Sequence, residues 1–212
     1  MNSRLFISPF ILSVLFYSCA SNTTIENKGP APESYRGVQI KNALPTGSVY
    51  IDSSGQKTGY RSVVIEFTND TMIPVHLQLL LPPEFISLPG PANWKYKVFL
   101  LPDNIVNQYE DNDSLSNDLT SYLDNQSALI STLRKSINPG ERYKLKLGSL
   151  IYPDGLARIA IFSKGHKHSL SIPDSAAGNI LEDSEKELNL LLGITLNETY
   201  SVIPIGKILF GE

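Results

Sequence analysis

The sequence predicts an all-β domain, an immunoglobulin-like β-sandwich with one short helical insertion, and three observations carry that prediction. Short runs rich in Val, Ile, Leu, Tyr and Phe recur along the chain, separated by Gly, Pro, Asn and Asp turns. Several runs alternate apolar and polar residues with a period of two. Only the stretch 103–127 carries helical spacing. Strands of unequal length, with one helical crossover among them, favour a sandwich over a closed barrel.

The elements follow in order. Gly37 to Ile40 is a short first strand. Gly47 to Ile51 runs into the turn Asp52-Ser53-Ser54-Gly55, and Gly59 to Thr68 follows, so turn residues between two β-branched and aromatic runs predict a hairpin. Asn69-Asp70 turns the chain into Ile73 to Leu81, where Val75, Leu77, Leu79 and Leu81 share one face. Pro82-Pro83 stops that strand, and Tyr96 to Leu101 is the next. Asp113 or Ser114 is the expected cap of a helix over Leu115, Leu119, Tyr122 and Leu123, crossing an edge or end of the sheets. Strands resume at Leu129 to Leu133 and, after the turn Asn138-Pro139-Gly140-Glu141, at Arg142 to Leu147. In the latter Tyr143, Leu145 and Leu147 face inward and the cations outward. Leu156 to Phe162, Ser169 to Ile172, Leu188 to Leu196 and Tyr200 to Phe210 complete the set.

The chain has 212 residues, a formal charge of −3 and one cysteine. Mild acidity disfavours nucleic acid as a partner, because a basic patch is the usual footprint there. The one cysteine, Cys19, follows an apolar run. Arg4 supplies a positive start and Leu5 to Tyr17 is apolar apart from Ser8, Pro9 and Ser13, the pattern of a secretory signal peptide. That run is shorter than the roughly 20 apolar residues a spanning helix needs. Phe16-Tyr17-Ser18-Cys19 resembles a bacterial lipobox, with Phe and Tyr where Leu and Ala or Ser are usual. The resemblance implies cleavage before Cys19 and lipidation of its sulfur and amino group, which removes an otherwise unpaired thiol. Three segments result: residues 1–18 as signal peptide, 19–34 as a flexible tether carrying lipidated Cys19, and 35–212 as one sandwich domain. Gly29, Pro30 and Pro32 in a polar setting mark the tether. Several acyl chains, at about 0.8 kcal/mol per buried methylene, anchor a domain with little reversibility.

Thr68–Leu77, Val98–Pro102, Ile137–Tyr143 and Val202–Ile208 resemble lipoproteins of the Bacteroides group, as does the aromatic lipobox. The resemblance spans most of the mature chain and implies a fold and a location but no activity. Ala20, in place of Asp, implies the outer membrane rather than retention at the inner one. The lack of an acidic run after Cys19 favours the periplasmic face over the cell surface.

No residue set carries a catalytic expectation, and no metal or other cofactor is implied. His76 alternates with Val75 and Leu77 and is expected at solvent or an edge. His166 and His168 share one side of an extended segment, a spacing metal sites use. Lys164 and Lys167 beside them and the lack of a third ligand favour a solvated hairpin tip. Asp111-Asn112-Asp113 opens like a calcium loop, but Leu115 stands where an oxygen ligand belongs. Glu66 is expected on the wet face of its strand. Trp94 and Tyr96, in and beside a Pro/Gly-rich loop, are the possible ligand-binding pair, able to stack on a sugar or dock a partner. A ring folded back over the end of the sandwich is the plainer reading. The triplets at Asp70-Thr71-Met72, Asp113-Ser114-Leu115 and Asp174-Ser175-Ala176 resemble O-glycosylation acceptors of exported proteins in the same group. That makes Thr71, Ser114 and Ser175 possible glycan sites. The expected function is a membrane-anchored, non-enzymatic accessory or interaction module of the cell envelope, held by its lipid and contacting an envelope protein or a glycan. The alternatives are a surface glycan-binding lipoprotein and a fimbrillin-like subunit whose terminal strand completes a neighbour's sheet.

Overall fold

The computed structural model describes residues 36–88, 93–105, 109–110, 114–125, 129–153, 157–163, 183–196 and 199–211. The first strands are β1 (Val38–Asn42), β2 (Thr46–Ile51) and β3 (Lys57–Asn69). Both β1 and β2 lie along one edge of β3, Val38 opposite Asn69 and Thr46 opposite Ser62. They are one lane interrupted at Ala43-Leu44-Pro45, where Pro45 has no N–H to give the ladder. Asp52 shapes the predicted hairpin turn, its carboxylate accepting from the N–H groups of Ser54 and Gln56.

The chain continues through β4 (Val75–Leu80), β5 (Ile86–Ser87), β6 (Lys95–Leu100), β7 (Tyr109–Glu110), β8 (Ser114–Leu115) and helix α1 (Asn117–Asp124). It ends with β9 (Thr132–Ile137), β10 (Arg142–Tyr152), β11 (Ala157–Phe162), β12 (Glu187–Leu196) and β13 (Thr199–Phe210). One antiparallel sheet runs β1-β3-β10-β6-β5, with β2 also on β3, and the second runs β11-β12-β13-β4-β9. The order β1-β3-β10-β6 matches the A-B-E-D sheet of immunoglobulin-like sandwiches. The second sheet carries a three-strand meander, β11-β12-β13, whose last member lies beside β4. The architecture is the all-β sandwich with one short helix that the strand pattern predicts.

Alternation decides what lies between the sheets. Ile65 and Phe67 of β3, Leu147 of β10 and Tyr96 of β6 meet Leu77 of β4, Leu190 and Leu192 of β12 and Ile208 of β13, all buried. Each such side chain contributes roughly 1.5–3 kcal/mol by leaving water. A second cluster lies on the opposite face of the first sheet. Tyr50, Tyr60, Phe99 and Leu150 pack there with Leu119 and Leu123 of α1. The helix therefore covers a sheet face rather than crossing an edge or end. That cover explains why Gly148 to Ile151 of β10 are buried on both faces.

Several expected boundaries move. The cap of α1 is Ser116, whose hydroxyl accepts from the Leu119 N–H, because Ser114 and Leu115 pair with Glu110 and Tyr109 in β8. Leu129 packs in the second cluster and Ile130 bridges to Leu100 of the first sheet, so β9 starts at Thr132 rather than Leu129. Pro74 delays β4 to Val75. The expected strand Ser169–Ile172 lies outside the described residues, as does everything up to 35.

Candidate functional site: a groove on the second sheet

The second sheet turns one face to the core and the other outward. Cross-strand register places Arg134 of β9, Gln78 of β4, Lys207 of β13 and Asn189 of β12 in one row on the outer face. The next row holds Thr132 and Leu80. Between Leu190 and Leu191 the register with β13 shifts by one, leaving Ile205 as the extra residue of a β-bulge. Gly206 takes φ 150° at that bulge, and a Cβ there would stand 2.0 Å from the Gln78 carbonyl oxygen. Only glycine lets β13 approach β4 so closely.

Two consequences open a groove. β4 pairs with β13 only from Gly206 to Phe210, because Pro82-Pro83 carries the chain away. Among the described residues, Thr199–Ile205 therefore has a strand partner on its β12 side alone. Beside this junction lies an open pocket of about 680 Å³, bordered by Leu80, Thr132, Arg134, Pro204, Gly206 and Lys207. That size lies within the usual range of ligand sites, roughly 300–1,000 Å³. Leu80 stands 64% exposed beside it. The Lys207 ammonium pairs with Glu187 at 2.8 Å, whereas Arg134 has no ion-pair partner among the described residues. The chemistry available is hydrogen bonding and charge pairing beside an apolar step.

The sequence-predicted site residues fall elsewhere. Tyr96 is fully buried in the central core, its hydroxyl 3.4 Å from that of Ser201 and its pKa raised by burial. It cannot stack on a sugar, which corrects the expected Trp94–Tyr96 pair. Trp94 is half-buried and packs against the same core, the plainer of its two expected roles. Thr71 sits in the turn after β3, its hydroxyl within 2.7 Å of both the Asn69 side-chain carbonyl and the Ile73 carbonyl. The Ser114 backbone lies in β8. Cys19, Asp111, Asp113, His166, His168 and Ser175 lie outside the described residues. His76 is exposed and Glu66 pairs with Lys144 at 3.7 Å on the outer face, as their strand positions predict. Among the described residues no three His, Cys, Asp or Glu side chains converge, and no helix is long and apolar enough to cross a membrane.

Sequence reasoning missed the groove, although two signals mark it. Pro204-Ile205-Gly206 inside an otherwise regular strand is the signature of a bulge. Leu79-Leu80-Leu81 breaks alternation and so forces one leucine outward. The molecule is thus an all-β sandwich with an open, polar-rimmed groove on one sheet. No protein-family model and no curated protein sequence matches the chain.

Proposed function

We propose that the protein is a lipid-anchored, non-enzymatic interaction module of the bacterial envelope, held by Cys19 at the periplasmic face of the outer membrane. In this reading the groove beside Arg134 and Leu80 is its contact surface. The observation that carries it is that groove: an open pocket of about 680 Å³ at a glycine-dependent bulge, rimmed by groups suited to binding. The signal-peptide pattern and the lipobox support the anchor, and the polar tether supports a domain that reaches away from the bilayer. A protein partner is favoured over a glycan, because Tyr96 is committed to the core and none of the described residues lining the groove is aromatic. The fimbrillin-like alternative has less support, because the terminal strand β13 pairs within its own domain, with β12 on both sides of the bulge and with β4 over Gly206–Phe210.

Fractionation and protease shaving of intact cells test the reading, with wild type beside Cys19→Ala. The expected result is wild-type protein in the outer-membrane fraction and resistant to shaving, with the variant released to the soluble fraction. Attachment unchanged in Cys19→Ala would remove the anchor, and a shaved wild type would move the domain to the cell surface.

A further inference from the structure

We infer that the groove binds an extended peptide segment that carries a carboxylate and an apolar side chain, laid along the open edge of Thr199–Ile205. The inference rests on the interaction-module reading and specifies its ligand. Three observations carry it.

The first is the lane that β4 vacates. Over Thr199–Ile205 the backbone of β13 has pairing groups on one side that no described residue takes up. A strand edge of this length, about 20 Å at ~3.3 Å per residue, templates an added strand through main-chain hydrogen bonds. Pro204 removes one donor and limits self-pairing without closing the edge.

The second is charge. Arg134 and Lys207 stand at the groove against a single carboxylate, Glu187, which Lys207 already engages. Arg134 retains its whole donor fork, and the side chains of Gln78 and Thr132 beside it make no hydrogen bond among the described residues. A planar guanidinium flanked by an amide and a hydroxyl is suited to receive a carboxylate in two-point contact. The site offers this cationic rim on a chain whose formal charge is −3.

The third is the apolar step. Leu80, where β4 ends at the head of the lane, and Pro204, on the strand beside it, are both exposed. An extended ligand puts alternate side chains on one face, so one falls on this step and the next within reach of Arg134. Among the described residues that line the pocket itself, none is aromatic.

The test is a binding titration with full-length mature protein in detergent, read by fluorescence anisotropy. The probes are labelled peptides of alternating valine and glutamate, with glutamine and lysine counterparts, and polygalacturonate as competitor. The glutamate peptide is expected to bind at least about tenfold more tightly than the glutamine one, the ratio one charge-assisted hydrogen bond supplies. Arg134→Glu should abolish that preference, and Arg134→Lys should keep part of it. Amide exchange at Thr199–Ile205 should slow in the bound state. Leu80→Ser, at an exposed position and without a change of charge, should weaken all three peptides. Equal binding of glutamate and glutamine peptides, or unprotected Thr199–Ile205, overturns the inference. Polygalacturonate binding without peptide binding overturns it too and assigns the groove to sugar acids. Peptide failure while Cys19→Ala still releases the protein from the membrane leaves the anchored-module reading standing. Peptide binding with anchoring unchanged in Cys19→Ala does the reverse.

Discussion

Asn69 shows what one buried polar side chain does in this fold. It is fully buried at the end of β3, and its amide group donates to the carbonyls of Ile73 and Ile137 at 2.9 Å each. Its side-chain oxygen accepts from the Thr71 N–H at 3.0 Å. Both ends of the amide are used, and they tie the crossing turn between the sheets to the end of β9. Asn69→Asp keeps the shape but turns two donors into an anion facing two carbonyl oxygens. A loss of about 2–4 kcal/mol is expected in denaturant unfolding, since each abandoned buried acceptor costs roughly 1–3 kcal/mol. Tyr96 makes a pH-dependent case. Burial raises its pKa in the folded state above the ordinary value of about 10. Its contribution is fully present below about 10 and is lost as pH rises towards the folded pKa, because only the unfolded chain releases the proton. Tyr96→Phe should therefore cost little at neutral pH, where only a 3.4 Å contact to Ser201 is removed. It should gain on wild type in alkaline unfolding monitored by tyrosinate absorbance. A constant difference across that range would show that Tyr96 does not titrate with folding.

Among the elements, β13 does more than fill a sheet. Its bulge lies where β4 stops pairing with it before Pro82-Pro83, and the groove and the open edge meet at that point. Gly206→Ala should cost at least about 2 kcal/mol, because a Cβ 2.0 Å from the Gln78 carbonyl must push β4 and β13 apart at a positive φ. Denaturant unfolding measures this. Amide exchange should speed up at Leu77–Leu79 and Gly206–Ile208 while β3 and β10 stay unchanged; uniform acceleration would place the strain elsewhere. Helix α1 acts differently, as a cover. Its Ser116 cap, buried Leu119 and Leu123, and the Tyr50 hydroxyl donating to Asp124 at 2.6 Å hold it over the first sheet. Gly148 makes room for Phe99 beneath that cover, since a Cβ would stand 2.4 Å from the ring.

For the whole molecule, the question is how two open sheets close without disulfides. Part of the answer is Asn42 at the end of β1. Its amide donates to the Ile161 carbonyl and accepts from the Ile161 N–H, both at 2.9 Å. A side chain here imitates a strand and joins the edge of the first sheet to β11 of the second. Removing it strands both backbone groups of Ile161, so Asn42→Ala should destabilise the domain by about 1–3 kcal/mol. If stability were unchanged, water would serve the β11 edge as well, and the corner would contribute nothing to closure. The two apolar clusters lie on opposite faces of one sheet, so β3 and β10 belong to both and link their unfolding.

Local chemistry alone determined the strand pattern, the hairpin at Asp52, the inward set of Val75, Leu77 and Leu79, and the outward placement of His76 and Glu66. Side-chain period and turn residues act within a few positions of each other, so one sequence carries them. What only the tertiary structure decided is which elements meet. Tyr96 and Leu80 are both apolar residues near prolines. One is core because the second sheet closes over it, and the other is exposed because β4 ends beside a bulge. The row Arg134, Gln78, Lys207 and Asn189 brings together residues up to 129 positions apart, through the pairing of four strands. No local pattern encodes such a row. The side chain that closes the corner, Asn42, has its partner 119 residues away. Long-range register sets these relations, and register is the outcome of packing two whole sheets.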